Sequence, residues 1–255
     1  MSMTSSTAPT GPVATIIVAA DGSGDYTSIQ DGIDALPATG GVVYIKEGTY
    51  NITEAINLFT SNIALMGAGA STNITTTDNI VMIFVGQIAG PAITANNCII
   101  DSIHLTGAGA AHASNYGIIM ARGSNLRLSN CLVEACGAHG FSCNFLGGIK
   151  GVFYANTCKD NIGDGIALVD APEVLLNANI CNNNDGAGIR LYAADTESRD
   201  CNITGNTCKY NTGYGIQIDA SCGENLVVAN VVSNNTAGQI LDNGDATVEA
   251  NNQTA

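Results

Sequence analysis

The sequence predicts an all-β chain wound as a single-stranded right-handed parallel β-helix, a solenoid closed at its N-terminal end by a short capping α-helix. Three observations carry this expectation. The first is composition: 255 residues hold 28 Asn and 30 Gly, with 45% hydrophobic but only 12% charged residues. Ordinary soluble domains carry about 25% charged residues, so the polar surface here comes from Asn, Gly, Ser and Thr, which favour turns over helices. The second is a repeat. Asn130-Cys-Leu, Asn156-Thr-Cys, Asn179-Ile-Cys, Asn206-Thr-Cys and Asn230-Val-Val follow one another at intervals of 26, 23, 27 and 24 residues. The third is a glycine marker in phase with it: Tyr116-Gly, His139-Gly, Asp164-Gly, Ala187-Gly, Tyr214-Gly and Ala237-Gly. A period of about 25 residues is too short for a propeller blade and lacks the Leu spacing of leucine-rich repeats; it fits one coil of a parallel β-helix.

Each element follows in chain order. Residues 1–13 are rich in Ser, Thr and Pro and read as a flexible tail, with neither the charged start nor the apolar run of a signal peptide. The β-helix domain is expected over 14–242. Ile16–Val18 begins a strand, Asp21-Gly-Ser-Gly turns, and a helix is expected over about 26–36, with Thr27 and Gln30 spaced as a capping box. Ile29, Ile33 and Leu36 give it one apolar face, and Pro37 follows its end. Gly40–Ile45 opens the first full coil, residues 53–98 supply two less regular coils, and 243–255 read as a polar C-terminal tail.

Stacked coils turn equivalent positions into ladders about 4.8 Å apart. Leu132, Cys158, Cys181, Cys208 and Val232 are expected inward, with the thiols acting as small hydrophobes. Nine Cys is an odd count without metal-type spacing, so unpaired buried thiols are expected. Asn130, Asn156, Asn179, Asn206 and Asn230 are expected at a corner, in the left-handed region, bonding the coils above and below. The glycine ladder marks a corner of positive φ or close backbone approach. With 22 acidic against 8 basic residues the net charge is −14, which argues against a nucleic-acid partner. Nor does any apolar run reach the ~20 residues of a membrane span.

The strings Val18 to Gln30, Ile33 to Pro37 and Val43 to Tyr50 resemble the opening of the pectin-lyase-like superfamily, which includes pectin methylesterases, polygalacturonases, mannuronan 5-epimerases and phage tailspikes. The Asn/Gly coils over about 97–242 are similar to the repeats of mannuronan epimerases and carbohydrate-binding β-helices. This resemblance implies a carbohydrate-active protein outside the cell or on a virion. Motifs depart from it, however. The Gln-Asp-Thr-Leu and Arg-Pro-Trp strings of pectin methylesterases are missing, and so is the polygalacturonase set. Tyr116-Gly-Ile-Ile-Met-Ala keeps the Tyr-Gly of the epimerase string Tyr-Gly-Phe-Asp-Pro-His but has neither its Asp nor its His.

Residues equivalent in phase become neighbours, and the glycine marker gathers a candidate site. His139, Asp164, Arg190 and Tyr214 are the candidate catalytic residues; Tyr116, Asn144, Tyr192, Gln217 and Asp219 are candidate substrate contacts, all within roughly 15–20 Å. Arg would neutralise a uronate carboxylate and acidify the adjacent C–H, while His or Tyr exchanges the proton. Expected function is therefore lyase or epimerase chemistry on an acidic polysaccharide. The alternative is a non-catalytic carbohydrate-binding or structural solenoid, trimeric if tailspike-like. No cofactor or metal is expected. Asn182-Asn183-Asn184-Asp185 reads as a solvated turn, because its single carboxylate is poor for a Ca²⁺ cage, which would have to rest on carbonyls.

Overall fold

The computed structural model describes residues 14–87, 91–144, 150–194 and 197–254. The expected N-terminal tail, 1–13, lies outside the described residues. The chain winds as a parallel β-solenoid with three flat faces, and every strand pair between neighbouring coils is parallel. The first face carries Thr15–Val18, Gly41–Ile45, the starts of Ile63–Thr75 and Ile99–Thr106, then Leu126–Ser129, Gly151–Tyr154, Val174–Asn177, Asn202–Thr204, Leu226–Val228 and Val248–Ala250. A two-residue corner leads each coil onto the second face. That face carries Gly48–Asn51, the ends of the two long strands, Leu132–Glu134, Thr157–Lys159, Ile180–Asn182, Thr207–Lys209, Val231–Ser233 and Gln253–Thr254. A longer corner leads to the third face, an eight-stranded sheet running from Ile56–Leu58 to Gly238–Asp242.

The core is built of stacked rows rather than of a mixed cluster. On the third face Ile56, Ile83, Ile118, Phe141, Ile166, Ile189 and Ile216 all point inward and are buried. β-branched side chains suit such a row because each packs against its copy one coil away. On the second face the inward row is Leu105, Val133, Cys158, Cys181, Cys208 and Val232. The expected member Leu132 is corrected here: it pairs with Thr157 and points outward, whereas Val133 pairs with Cys158.

The same one-residue slip affects the first asparagine. The ladder runs Asn156, Asn179, Asn206, Asn230 and Asn252, and Cys131, not Asn130, holds the equivalent place, its N–H donating to Asn156 Oδ1 at 3.0 Å. Each ladder amide works in both directions. Asn179 Oδ1 accepts from Asn156 N and Nδ2 at 3.1 and 3.0 Å, and its Nδ2 donates to Phe153 O at 2.9 Å and to Asn206 Oδ1 at 3.0 Å. Nor does the ladder residue itself take the left-handed turn. The residue before it does: Asn130, Ala155, Ala178, Gly205 and Ala229 have φ between 53° and 67°. A second ladder, Asn161, Asn184, Asn211 and Asn235, closes the other end of the second face in the same way. Asn184 therefore belongs to the buried framework, and the run Asn182–Asp185 is not a solvated turn throughout.

The glycine marker answers to close approach. A Cβ on Gly140, Gly165 or Gly188 would come within 2.8, 2.7 or 2.6 Å of the carbonyl oxygen of the next glycine in the ladder. The cap is shorter than expected. The helix spans Ile29–Asp34 with Ser28 as N-cap, accepting from Asp31 N at 3.3 Å. Gln30 reaches away from Thr27, its Nε2 donating to Asp34 and its Oε1 accepting from Asn57 N at 2.8 Å, which ties the helix to the first coil of the third face. The C-terminal segment is also corrected: Val248–Ala250 and Gln253–Thr254 pair in register on the first and second faces and add a further coil.

All nine cysteines are free and buried, and burial pushes the thiols of Cys131, Cys136 and Cys201 up to about 12. Two outcomes follow. Native protein should show no fast-reacting thiol towards a disulfide reagent, and all nine should react once denaturant is added. Asn179→Ala orphans the Asn156 amide and the Phe153 carbonyl, so it should cost about 3 kcal/mol in urea unfolding. By contrast, the exposed Asn243→Ala should cost under about 0.5 kcal/mol.

Candidate functional site

The outer surface of the third face assembles the predicted residues. Its register runs Ile119, Ser142, Ala167, Arg190 and Gln217 in one outward row, and Asn144, Val169 and Tyr192 in the next. Asp219 follows the strand Tyr214–Ile218, its N–H donating to Leu191 O at 2.9 Å. Ala167 and Val169 are buried despite pointing outward. Asn144 is placed by its backbone, opposite Val169; its side chain lies outside the described residues.

His139 and Asp164 stand one coil apart at the corner leading into this face, each just before a ladder glycine. The Asp164 backbone N–H donates to His139 Nδ1 at 2.8 Å, and Asp164 Oδ2 lies 3.4 Å from the same nitrogen. Asp164 Oδ1 accepts from Ala187 N at 2.6 Å, while Oδ2 is buried and has no hydrogen-bond partner among the described residues. The Nδ1 contact assigns the tautomer: a neutral His139 carries its proton on Nε2. Burial sets the protonation of both groups. It holds the His139 imidazole below its ordinary value, against the pull of the Asp164 carboxylate, and it raises the Asp164 carboxyl above the usual carboxylate range. The Tyr116 ring packs against His139 at 5.5 Å between centroids, tilted by 59°.

One coil beyond Asp164, Arg190 is held by Asp219: Nη2 donates to Oδ2 at 2.6 Å and Nε to the same oxygen at 3.1 Å. Gln217 Nε2 donates to the other oxygen of Asp219 at 2.6 Å, which makes Gln217 a fixing residue for that carboxylate. The Arg190 guanidinium lies 4.8 Å over the Tyr192 ring. Burial and the nearby Asp164 carboxylate raise the Tyr192 phenol. Tyr214 is set apart. It stands three coils, roughly 14 Å, from His139, and its ring lies beside Gly238 on the following coil. The structure thus gathers Tyr116, His139 and Asp164 in one group, and Arg190, Tyr192, Gln217 and Asp219 in a second. Tyr214 is left at the C-terminal margin. What the side-chain pattern could not signal is the part played by the Asp164 and Ala187 amides, because any residue supplies an amide. Among the described residues no group of three or more His, Cys, Asp or Glu side chains converges as a metal site.

Comparison with known proteins adds family and fold. Residues 82–254 match the family "Right handed beta helix region", and residues 15–136 match "Pectinesterase". Pectinesterase 2 of Citrus sinensis is 44% identical over 70 residues, 26% of this chain and 13% of that protein, so the matched stretch spans about an eighth of its relative. Among solved structures, the A-module of the Azotobacter vinelandii mannuronan C-5 epimerase AlgE6 superposes with a TM-score of 0.64 at 16% identity, covering 89% of this chain and 72% of that one. Pectin methylesterase from carrot gives 0.61 at 18% identity, over 98% and 85%. ORF18 of Geobacillus virus E2 gives 0.59 at 17%, over 94% and 60%. At such identities these are likenesses of fold.

The buried pair predicts a pH signature. The raised Asp164 pKa favours the protonated, folded form at low pH, and that contribution is lost as pH rises through the raised value. The lowered His139 pKa works oppositely: its contribution is present above the ordinary imidazole range and is lost as pH falls through the lowered value. Asp164→Asn keeps an oxygen for the Ala187 amide and removes the carboxylate. Its urea midpoint, measured against that of the unmodified protein, should therefore improve as pH rises above the ordinary carboxylate range and level off once the raised value is passed. A difference that does not vary with pH would show that Asp164 carries no buried charge.

Proposed function

The chain belongs to the right-handed β-helix family, within the pectin-lyase-like superfamily, and on that scaffold we propose that it is a polysaccharide-active protein working on the outer surface of its third face. The observation that carries this reading is the half-buried His139 against the buried Asp164, beside the Tyr116 ring and followed one coil beyond Asp164 by Arg190 over Tyr192. His139 presents Nε2 as its free end. A polysaccharide lying across the coils would stack its pyranose rings on Tyr116 and Tyr192, in the manner of aromatic sugar contacts.

The finer reading is lyase or epimerase chemistry on a uronate. A proton leaves the carbon next to the carboxylate. It then returns on the opposite side, or the neighbouring C–O bond breaks to leave a double bond. Arg190 would stabilise the carboxylate as charge builds, and His139 would move the proton. For Nε2 to take that proton, His139 must carry its own on Nδ1, where Asp164 Oδ2, 3.4 Å away, can accept it; Nε2 then returns the proton to the opposite side of the carbon or to the departing oxygen. On this reading the protein works outside the cell or on a virion. Burial rather than compartment would keep its thiols reduced.

One observation favours a second reading, in which the solenoid binds glycan without turning it over. Arg190 already spends Nε and Nη2 on Asp219, so a substrate carboxylate must compete with a carboxylate held in place by Gln217. Screening alginate, pectate and neutral glycans separates the two readings. Turnover is read as ultraviolet absorbance of an unsaturated product or as solvent proton exchange, and binding is read by calorimetry. Under the enzymatic reading His139→Ala should cut turnover by about 100-fold with binding little changed. Arg190→Lys, which keeps charge but loses the planar fork, should weaken affinity for an acidic glycan about tenfold. Binding without turnover in the unmodified protein establishes the second reading. If His139→Ala and Arg190→Lys leave both measurements unchanged, the site lies elsewhere.

A further inference from the structure

The corner leading from the second face to the third repeats one backbone device. The residue immediately after the second-face strand turns into the left-handed region, and in successive coils this residue is Ala135, Asp160, Asn183, Tyr210 and Asn234, with φ between 56° and 59°. Asn and Asp tolerate that conformation and Ala is small, but a bulky ring gains nothing locally from it. Tyr210 is the only aromatic residue with a positive φ among the described residues. Its ring does not turn inward. It is 59% exposed, more than any other large hydrophobic side chain described, and its hydroxyl has no hydrogen-bond partner there. The backbone on either side is fixed: Asn183 N–H donates to Lys209 O at 3.1 Å, and Asn211, next in the chain, is held in the second asparagine ladder.

Strand pairing sets what stands around the ring. Asn182 pairs with Lys209 and Lys209 with Ser233, so Asn183 and Asn234 flank Tyr210 one coil away on either side, about 4.8 Å in each direction. Both of these asparagines are exposed, and their side-chain amides make no hydrogen bond among the described residues, unlike the ladder amides of Asn184 and Asn235 that follow them. Lys209 stands just before the ring. Its ammonium has no carboxylate partner among the described residues, whereas Lys159 on the same face is matched to Glu134. We propose that Tyr210 is the platform of a second glycan site, separate from the third face, which takes a pyranose ring of an acidic polysaccharide. The sugar stacks on the exposed phenol ring, the Asn183 and Asn234 amides bond its hydroxyls, and the Lys209 ammonium meets its carboxylate. The left-handed backbone is then explained, because a sparsely populated conformation persists where it presents a binding side chain and the surrounding structure holds it. Only the class of ligand is shared with the proposed function; none of these four side chains belongs to the third face, so either site can fail without the other.

The test is calorimetry of the full chain with oligosaccharides of alginate and pectate, and with a neutral oligosaccharide for comparison. Tyr210→Asn should weaken binding of the acidic oligosaccharides about tenfold. Its urea midpoint should be equal to that of the unmodified protein or higher, because Asn takes this same conformation in the coils on both sides. Tyr210→Phe, which keeps the ring, should bind as the unmodified protein does. Lys209→Gln should weaken the acidic oligosaccharides and leave the neutral one unchanged. Arg190→Lys reads the third face in the same assay. A loss through Tyr210→Asn and none through Arg190→Lys establishes this site and counts against the third face. A loss through Arg190→Lys and none through Tyr210→Asn overturns the inference and leaves the third face standing. No binding by the unmodified protein overturns it too, and so does a lowered urea midpoint in Tyr210→Asn, which would show that the ring is held for packing.

Discussion

Every coil of this molecule must return to the same phase, because a slip of one residue would turn an inward row outward for the rest of the chain. The two asparagine ladders enforce that return. Each amide accepts from the backbone and side chain of the coil on one side and donates to the next asparagine, so a phase error would orphan several buried polar groups at once. The left-handed turn just before each ladder residue supplies the sharp corner, and Ala fills it as often as Gly or Asn. Coils of 22 to 27 residues can therefore stack, since the excess length is confined to corners where no ladder runs.

The site is a by-product of the same register. His139 and Asp164 stand one coil apart because both precede a ladder glycine, and Gly163, where a Cβ would come within 2.6 Å of His139 Nδ1, lets the backbones approach closely enough for the Asp164 amide to reach the imidazole. Burial at this corner follows from the close approach, and it drives the shifts of both groups in opposite directions. On the strands beyond the corner the rows are fixed by sheet pairing, so Arg190 and Tyr192 fall on one side of the sheet and the core residues Ile189 and Leu191 on the other.

Much of this was legible in the chain itself, for a physical reason. Solenoid geometry converts sequence period directly into spatial adjacency, so the glycine marker was enough to align the third face and bring Tyr116, His139 and Asp164 together. The failures came where composition was read in place of phase. Asn130 looked like a ladder member because it is an Asn beside a Cys, yet it fills the left-handed position and Cys131 fills the ladder. The last coil looked like a tail because it is polar. Yet Glu249 stacks on Val227 and Thr254 on Val232, because parallel pairing rests on the backbone and tolerates polar side chains. Tyr26 reads as helix by pattern, but it bridges to Val18 and the helix starts three residues later. The Arg190–Asp219 pair could not be seen from the period, because Asp219 lies past the end of its strand and reaches back across a coil.

That pair bears on how a chain with a net charge of −14 meets its partners. Of eight basic residues, Lys150, Lys159, Arg190 and Arg199 are each matched to a carboxylate, so little positive potential is left over to draw in a polyanion. Encounter with an acidic glycan would have to rely on contact rather than on steering. Contact is what the third face offers, through the rings of Tyr116 and Tyr192 and a guanidinium already aligned above one of them. Asp219 then has a second consequence beyond balancing charge. By holding Arg190 flat over Tyr192 it keeps the fork oriented before any ligand arrives, and a ligand that displaces it meets a side chain whose rotamers are already fixed. On the proposed reading Gln217, by retaining the Asp219 carboxylate, would set how readily an acidic ligand displaces it from Arg190.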